Sequence, residues 1–132
     1  MSNFFIILAA GESKRFNSYI PKPYIVYKGK PIIQHSIDKA QKCKKIDKIL
    51  LVINKKHKKF IKTLNIKNLK ILYGGKTRAE SSYKAMQSIK KNKVKNVFIH
   101  DAARPNFSLK LLYKLNKGLK KKQMCRTLSY LK

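Results

Sequence analysis

Three short segments of this chain carry the residue types that proteins use to hold phosphate. Ala9-Ala10-Gly11 closes an apolar run and leads to Lys14 and Arg15, with Pro21-Lys22 close behind. Small side chains let backbone N–H groups approach an anion closely. Arg15 offers a planar fork to phosphate oxygens, and Lys14 or Lys22 a mobile point charge. Gly74-Gly75-Lys76-Thr77-Arg78-Ala79-Glu80-Ser81-Ser82 follows a second apolar run, and His100-Asp101-Ala102-Ala103-Arg104-Pro105 follows a third, Val97-Phe98-Ile99. Any one of these is also what an ordinary strand exit looks like in a lysine-rich protein. Arginine usage weighs against that reading. The chain has only four arginines, and Arg15, Arg78 and Arg104 fall in these three motifs.

The elements that must position these residues follow from periodicity. Apolar runs at residues 4–9, 49–53, 69–73 and 96–99 read as short buried strands. Helical spacing fills the gaps, at residues 31–42, 56–64, 78–91 and 109–121. In the first of these, Ile32, Ile33, Ser36, Ile37 and Ala40 share a face, with Pro31 at the start where a helix tolerates it. In the third the expected face is Ser82, Ala85, Met86 and Ile89, and Ser108 is the expected N-cap of the fourth. Strand–helix alternation predicts an α/β fold with a mostly parallel sheet. All three motifs then lie at the carboxyl ends of strands, the edge where open parallel sheets bind ligands.

Composition bounds the function classes. The 132 residues make one domain at most, with 33 Lys and Arg against 5 Asp and Glu, a formal charge of +28. Such a field attracts anions and supports nonspecific nucleic-acid binding. The lysines are spread along the chain without a separate basic tail, so most of them serve as solvated surface. Cys43 and Cys125 have no CxxC or His/Cys ligand spacing and read as reduced thiols. The N-terminal apolar run is too short to span a membrane and runs into a motif rather than a cleavage site. The expectation is a cytoplasmic protein with no membrane association.

The set AAGxxxRF, PK, GKPIIxHS, GGxxRxxS and HDAARP resembles the 2-C-methyl-D-erythritol 4-phosphate cytidylyltransferase family, over residues 6–108. The AAG…R…PK part is shared with many sugar-nucleotidyltransferases. HDAARP after a strand, at this distance from GGxxRxxS, is far more specific. The resemblance implies a Rossmann-like three-layer nucleotidyltransferase fold. It implies transfer of CMP from CTP to 2-C-methyl-D-erythritol 4-phosphate with release of pyrophosphate, a step of non-mevalonate isoprenoid synthesis. It also implies a divalent cation, Mg²⁺ by expectation, and a homodimer in full-length members. The related ribitol-phosphate cytidylyltransferases run the same reaction on another polyol phosphate. A non-catalytic nucleotide-binding remnant and a basic nucleic-acid-binding protein are the alternatives from other classes.

The chemistry brings two anions together, so catalysis needs fixed cations more than a base. The resemblance puts the family's loop arginine and lysine on Arg15, binding the triphosphate, and on Lys22, stabilising the charge gathered at the α-phosphorus. Ala9, Ala10 and Gly11, with Gly75 and Ser81, would frame the cytosine. Asp101 is one of the few acids, and Mg²⁺ commonly takes one or two carboxylates plus substrate phosphates. By resemblance it is the metal and ribose-side aspartate; as a plain structural residue it would cap a turn or pair with Arg104. Arg78, at a helix start where the dipole disfavours a cation, needs an anionic partner, and Glu80 is the local candidate. Arg104, fixed by Pro105, would hold the loop that presents Asp101. His100 reads as a strand-end structural histidine, since the nucleophile is already anionic. Two residues depart from the family pattern: Ser13 stands at a frequent glycine, and Pro23 at the usual glutamine.

Residues 1–122 are expected to form the nucleotide-binding part of one cytidylyltransferase domain, with 123–132 an atypical tail. Family members continue for roughly another hundred residues, by resemblance, where a strand takes about 5 or 6. The C-terminal strands, a dimerisation arm and a second carboxylate are therefore expected to be missing. A sheet left short in this way has an apolar edge and marginal stability.

Overall fold

The structure, a computed structural model, describes residues 2–11, 20–104 and 106–122. Its centre is a four-stranded parallel sheet built from β1 (Ser2–Ala9), β4 (Lys48–Ile53), β5 (Leu69–Tyr73) and β6 (Val94–Asp101), in the order β5-β4-β1-β6. A two-stranded antiparallel hairpin, β2 (Val26–Tyr27) and β3 (Lys30–Pro31), lies apart from it. Among the described residues the α-helices are α1 (Ile32–Lys42), α2 (Arg78–Ser88) and α3 (Leu109–Lys122).

The apolar runs are nearly continuous because the sheet is covered on both faces. Phe5, Ile7 and Ala9 of β1 join Leu51, Ile53 and Phe98 under α1 and α3, where Ile33, Ile37, Ala40 and Leu112 pack. Phe4, Ile6 and Leu8 point the other way, with Ala10, Leu50, Val52, Val97 and Ile99, beneath Ala85 and Ile89 on the α2 side. This is the α/β fold with a parallel sheet that the alternation predicts, in the three layers that the resemblance implies. The chain leaves β1 for β4 and β5 on one side, then returns across the sheet to β6 on the other. The direction of winding therefore switches between β1 and β6, which opens a crevice beyond their carboxyl ends.

Ser108 caps α3 as expected, its Oγ accepting the N–H of Leu111 at 3.1 Å. Three other details differ from the expectations. The segment expected as a second helix is a 3₁₀ stretch, Lys55–Thr63, with no fully buried residue; Phe60 and Ile61 pack against the core only in part. The α2 helix ends at Ser88 rather than residue 91, and its buried face is Ser81, Ala85 and Ile89, with Met86 39% exposed. Spacing of i, i+4 and i+8 follows the sheet beneath, and Met86 falls one position off that line. The β2–β3 hairpin was not anticipated. It turns at Lys28 and Gly29, both with positive φ (49° and 84°), the pair of conformations tight hairpins favour.

Candidate active site

The crevice at the switch point is a cleft of about 420 Å³. Leu8, Ala10 and Gly11 line it from β1; Asp101, Ala103 and Arg104 from β6; and Gly75, Lys76, Thr77, Arg78 and Ser81 from the start of α2, with Lys22 beside them. Residues scattered over the three motifs thus meet in one place.

Strand alternation decides which side chains reach the cleft. Asp101 is paired with Leu8 in register and lies on the α2 side of the sheet, the side of Leu8 and Ala10. Ala9 and His100 point to the opposite face. Ala9 is 4% exposed in the core under α1 and α3, so of the expected small-residue cradle only Ala10 and Gly11 line the cleft. His100 is buried, 3.2 Å from Ser36 Oγ and edge-on to Phe107 with ring centroids 4.5 Å apart. Its expected structural role matches this position.

Burial pushes the His100 imidazole down to about 4 from an ordinary 6.5. Between those values the unfolded chain binds a proton that the folded chain does not. Stability is therefore retained above pH 6.5 and lost as pH falls toward 4, by roughly 3 kcal/mol at full extent. Urea midpoints at pH 7.5 and 4.5 should differ less for His100→Gln than for the parent chain; equal differences would remove His100 as the cause.

The loop after β1 is tied to its neighbour strand: Asn54 Nδ2 donates to the Ala10 carbonyl at 3.3 Å. Lys22 is placed by a 3₁₀ turn, Lys22–Tyr24, flanked by Pro21. Tyr24 is its anchor, buried and stacked on Phe60 at 5.3 Å between centroids. Pro23 is buried in that turn, whose backbone its ring tolerates, so the departure from glutamine stiffens the segment carrying Lys22. Burial pushes the Tyr24 phenol up to about 12, keeping the anchor neutral.

Glycines 74 and 75 bring β5 against the cleft floor. A Cβ on Gly74 would sit 2.3 Å from Ala10 Cβ and 2.6 Å from Ser81 Oγ. Gly75 N–H donates to Ser81 Oγ at 3.0 Å, so the hydroxyl of Ser81, expected to help frame the cytosine, also shapes the loop. Thr77 caps α2 by accepting the Glu80 N–H at 3.1 Å. The Glu80 carboxylate accepts the Lys76 N–H at 3.1 Å.

Arg78 is where the structure departs most from expectation. Its Nε donates to Asp101 Oδ1 at 3.0 Å rather than pairing with Glu80. Glu80, in the first turn of α2, is drawn back to a backbone N–H, while Arg78 at the first position projects toward the end of β6. Arg104 meets Asp101 through the backbone, its N–H donating to the Asp101 carbonyl at 3.1 Å. This tightens the turn after β6, as expected of the loop holding Asp101. Arg15, Lys14, Ser13, Pro105 and the 123–132 tail lie outside the described residues.

Among the described residues no three His, Cys, Asp or Glu side chains come together to hold a metal ion. Asp101 is the one carboxylate among the described cleft-lining residues. Such a donor set fits a cation carried in on substrate phosphates, not a resident cage.

The family model for 2-C-methyl-D-erythritol 4-phosphate cytidylyltransferase matches residues 4–128. The chain belongs to this family. The bifunctional enzyme IspD/IspF of Pelagibacter ubique is 69% identical over 120 residues, which cover 91% of this chain and 32% of that enzyme. The 2-C-methyl-D-erythritol 4-phosphate cytidylyltransferase of Clostridioides difficile is 37% identical over 89% of this chain and 52% of its own length. Among solved structures, the 4-diphosphocytidyl-2C-methyl-D-erythritol synthase of Anaerococcus prevotii matches with a TM-score of 0.73 at 28% identity, over 91% of this chain and 51% of that one. This cytidylyltransferase-family chain thus spans about half the length of such single-function relatives. No helix among its described residues is long and apolar enough to cross a membrane.

Sequence reasoning missed Lys76 and Thr77 as cleft residues of this cytidylyltransferase chain. Their place inside the Gly-Gly-Lys-Thr-Arg run was the available signal. Leu8 and Ala103 carry no chemical signal in their side chains, and only the fold puts them there.

Proposed function

We propose that the chain supplies the CTP-binding part of a 2-C-methyl-D-erythritol 4-phosphate cytidylyltransferase, transferring CMP from CTP to that acceptor in non-mevalonate isoprenoid synthesis. The observation that carries this reading is the charge pattern of the cleft. Lys22, Lys76, Arg78 and Arg104 converge there over a floor of small residues, with Asp101 as the carboxylate. That is a cradle for a triphosphate beside a group suited to ribose or a phosphate-bound cation.

In the reaction a phosphate oxygen of the acceptor bonds to the α-phosphorus while the bond to the β-phosphate bridging oxygen breaks, releasing pyrophosphate. Lys22 stabilises the charge gathered on the α-phosphoryl oxygens, and Arg15, which follows β1 in the sequence, holds the triphosphate. Ala10, Gly11 and Gly75 leave room for the cytosine, with Ser81 holding the Gly75 backbone in place. Asp101 orients the ribose and would hold the divalent cation, which neutralises phosphate charge when bound. Arg104 maintains the Asp101 turn. The family's acceptor site and dimer contacts, on this reading, involve residues additional to those described.

The test is pyrophosphate release by the chain from CTP and Mg²⁺ with 2-C-methyl-D-erythritol 4-phosphate, with ribitol phosphate as the competing acceptor. Turnover with the first alone supports the assignment; turnover with the second alone replaces it by the ribitol-phosphate reaction. CTP binding without turnover identifies a nucleotide-binding fragment. The charge of +28 supports a second, nonspecific association with nucleic acid. That binding should weaken steeply with salt and be unaffected by Lys22→Ala, because it arises from diffuse charge. Salt-insensitive or Lys22-dependent binding would count against this origin.

A further inference from the structure

The strand ladder between β1 and β4 ends where Ala9 pairs with Ile53, so the carbonyl of Ala10 lies beyond it. Ala10 is buried, 7% exposed, and a buried carbonyl needs a donor. Asn54, the first residue after β4, supplies one: its Nδ2 donates to the Ala10 carbonyl at 3.3 Å. The other end of the same amide is also used. Asn54 Oδ1 accepts the Lys56 N–H at 3.0 Å and so caps the 3₁₀ stretch Lys55–Thr63. One contact needs a donor and the other an acceptor, which an amide provides together and a carboxylate of the same shape does not. Asn54 itself is outside the described cleft lining.

A trans peptide is planar, with its C=O and N–H pointing opposite ways. The described peptide bonds are all trans. With the Ala10 carbonyl turned to the end of β4, the Gly11 N–H is aimed away from β4. That is toward the side of β1 on which β6 brings Asp101, Ala103 and Arg104 to the cleft. The space about Gly11 is open, since a Cβ built there meets nothing within 4 Å. We infer that Asn54 is a positioning residue for nucleotide: by holding the Ala10 carbonyl it aims the Gly11 N–H at an oxygen of bound CTP. This rests on reading the cleft as a CTP site. Without the amide the Ala10 carbonyl turns to find water, and the Gly11 N–H turns with it because one plane holds both. Nucleotide then loses an aligned donor although no cleft-lining side chain has changed.

The test separates the two ends of the amide. Asn54→Ser keeps a good cap but gives up the reach to Ala10, whereas Asn54→Ala loses both. Calorimetry with CTP and Mg²⁺ gives affinity, and urea midpoints give stability. Ala10-Gly11 is the one Ala-Gly pair in the sequence, so labelling alanine carbonyls with ¹³C and glycine amides with ¹⁵N isolates this peptide by NMR. In the parent chain CTP should move the Gly11 amide proton downfield. Asn54→Ser should hold its urea midpoint near the parent value, bind CTP about fivefold to twentyfold more weakly, and show a smaller Gly11 shift. Asn54→Ala should unfold at lower urea yet bind CTP about as well as the serine variant. A merely structural Asn54 would make affinity follow stability, leaving Asn54→Ser like the parent in both; that result overturns the proposal. A parent chain that binds CTP with the Gly11 signal unmoved also overturns it while leaving the nucleotide site standing. A parent chain that binds no CTP removes the nucleotide reading, and this proposal with it.

Discussion

Replacing Lys22 by alanine is expected to lower the rate of CMP transfer by about a hundredfold to a thousandfold, with a much smaller effect on CTP affinity. The expectation follows from where charge develops. CTP already carries its full negative charge in the ground state, and Arg78, Arg104 and Lys76 surround the same cleft. Loss of one cation among several weakens nucleotide binding modestly. At the α-phosphorus, however, negative charge accumulates only as the acceptor oxygen approaches, and a cation held at that point acts chiefly on the transition state. Lys22 is suited to this because its turn is fixed by Pro21, Pro23 and the buried Tyr24, so little reorganisation accompanies the reaction. Single-turnover kinetics should show the loss in the chemical step. A variant with a raised KM for CTP and an unchanged rate at saturation would reassign Lys22 to ground-state binding.

The second large effect is expected at Gly74. Gly74→Ala should lower stability by about 2–3 kcal/mol, the range for overpacking a tight site, and depress the melting temperature by roughly 5–10 °C. The new Cβ would meet Ala10 Cβ at 2.3 Å, Ser81 Oγ at 2.6 Å and Val52 Cγ1 at 3.1 Å. Ala10 has no side-chain torsion with which to move away, so relief must come from the backbone of the loop after β1 or from loss of the Ser81 bond to Gly75. Either displaces cleft residues, and CTP affinity should fall at least about tenfold, a difference of 1.4 kcal/mol. The neighbouring glycine supplies the contrast. At Gly75 the three atoms nearest an added Cβ all belong to the Glu80 side chain, from 2.3 Å, and a flexible glutamate can swing aside. Gly75→Ala should therefore cost much less, close to the worth of the Glu80 bond to the Lys76 N–H. Equal melting temperatures for Gly74→Ala and the parent chain would show that β5 does not press on the β1 loop this closely.

Much of the architecture follows from local pattern. Residues 4–9 and 49–53 are apolar without interruption, and 69–73 and 96–99 are broken only by Lys70 and Asn96, a pattern that suits strands covered on both faces. Their alternation with helical segments leaves a parallel sheet as the natural solution, and the structure has it. The three motifs also announce themselves, because a small-residue turn with an arginine after a strand has few bland explanations when it occurs three times. The segment at 55–63 shows the limit of such reading. Lysines at nearly every solvent position and a few apolar residues suit an α-helix or a 3₁₀ stretch alike, and no burial forces the choice.

The sequence by itself determined the strands, the small residues and scarce arginines at their carboxyl ends, and the family, because those depend on residue type and short spacing. Only the tertiary structure decided which of these groups share the cleft. The two-residue period of β1 and β6 sends Ala10 and Asp101 into it but Ala9 and His100 into the core. The return of the chain from β5 across to β6 carries Arg78 to Asp101, a partner 23 residues away, instead of to Glu80, two residues away. Spacing along the chain cannot express that choice, since it depends on the order of strands in the sheet and on which face of it α2 covers.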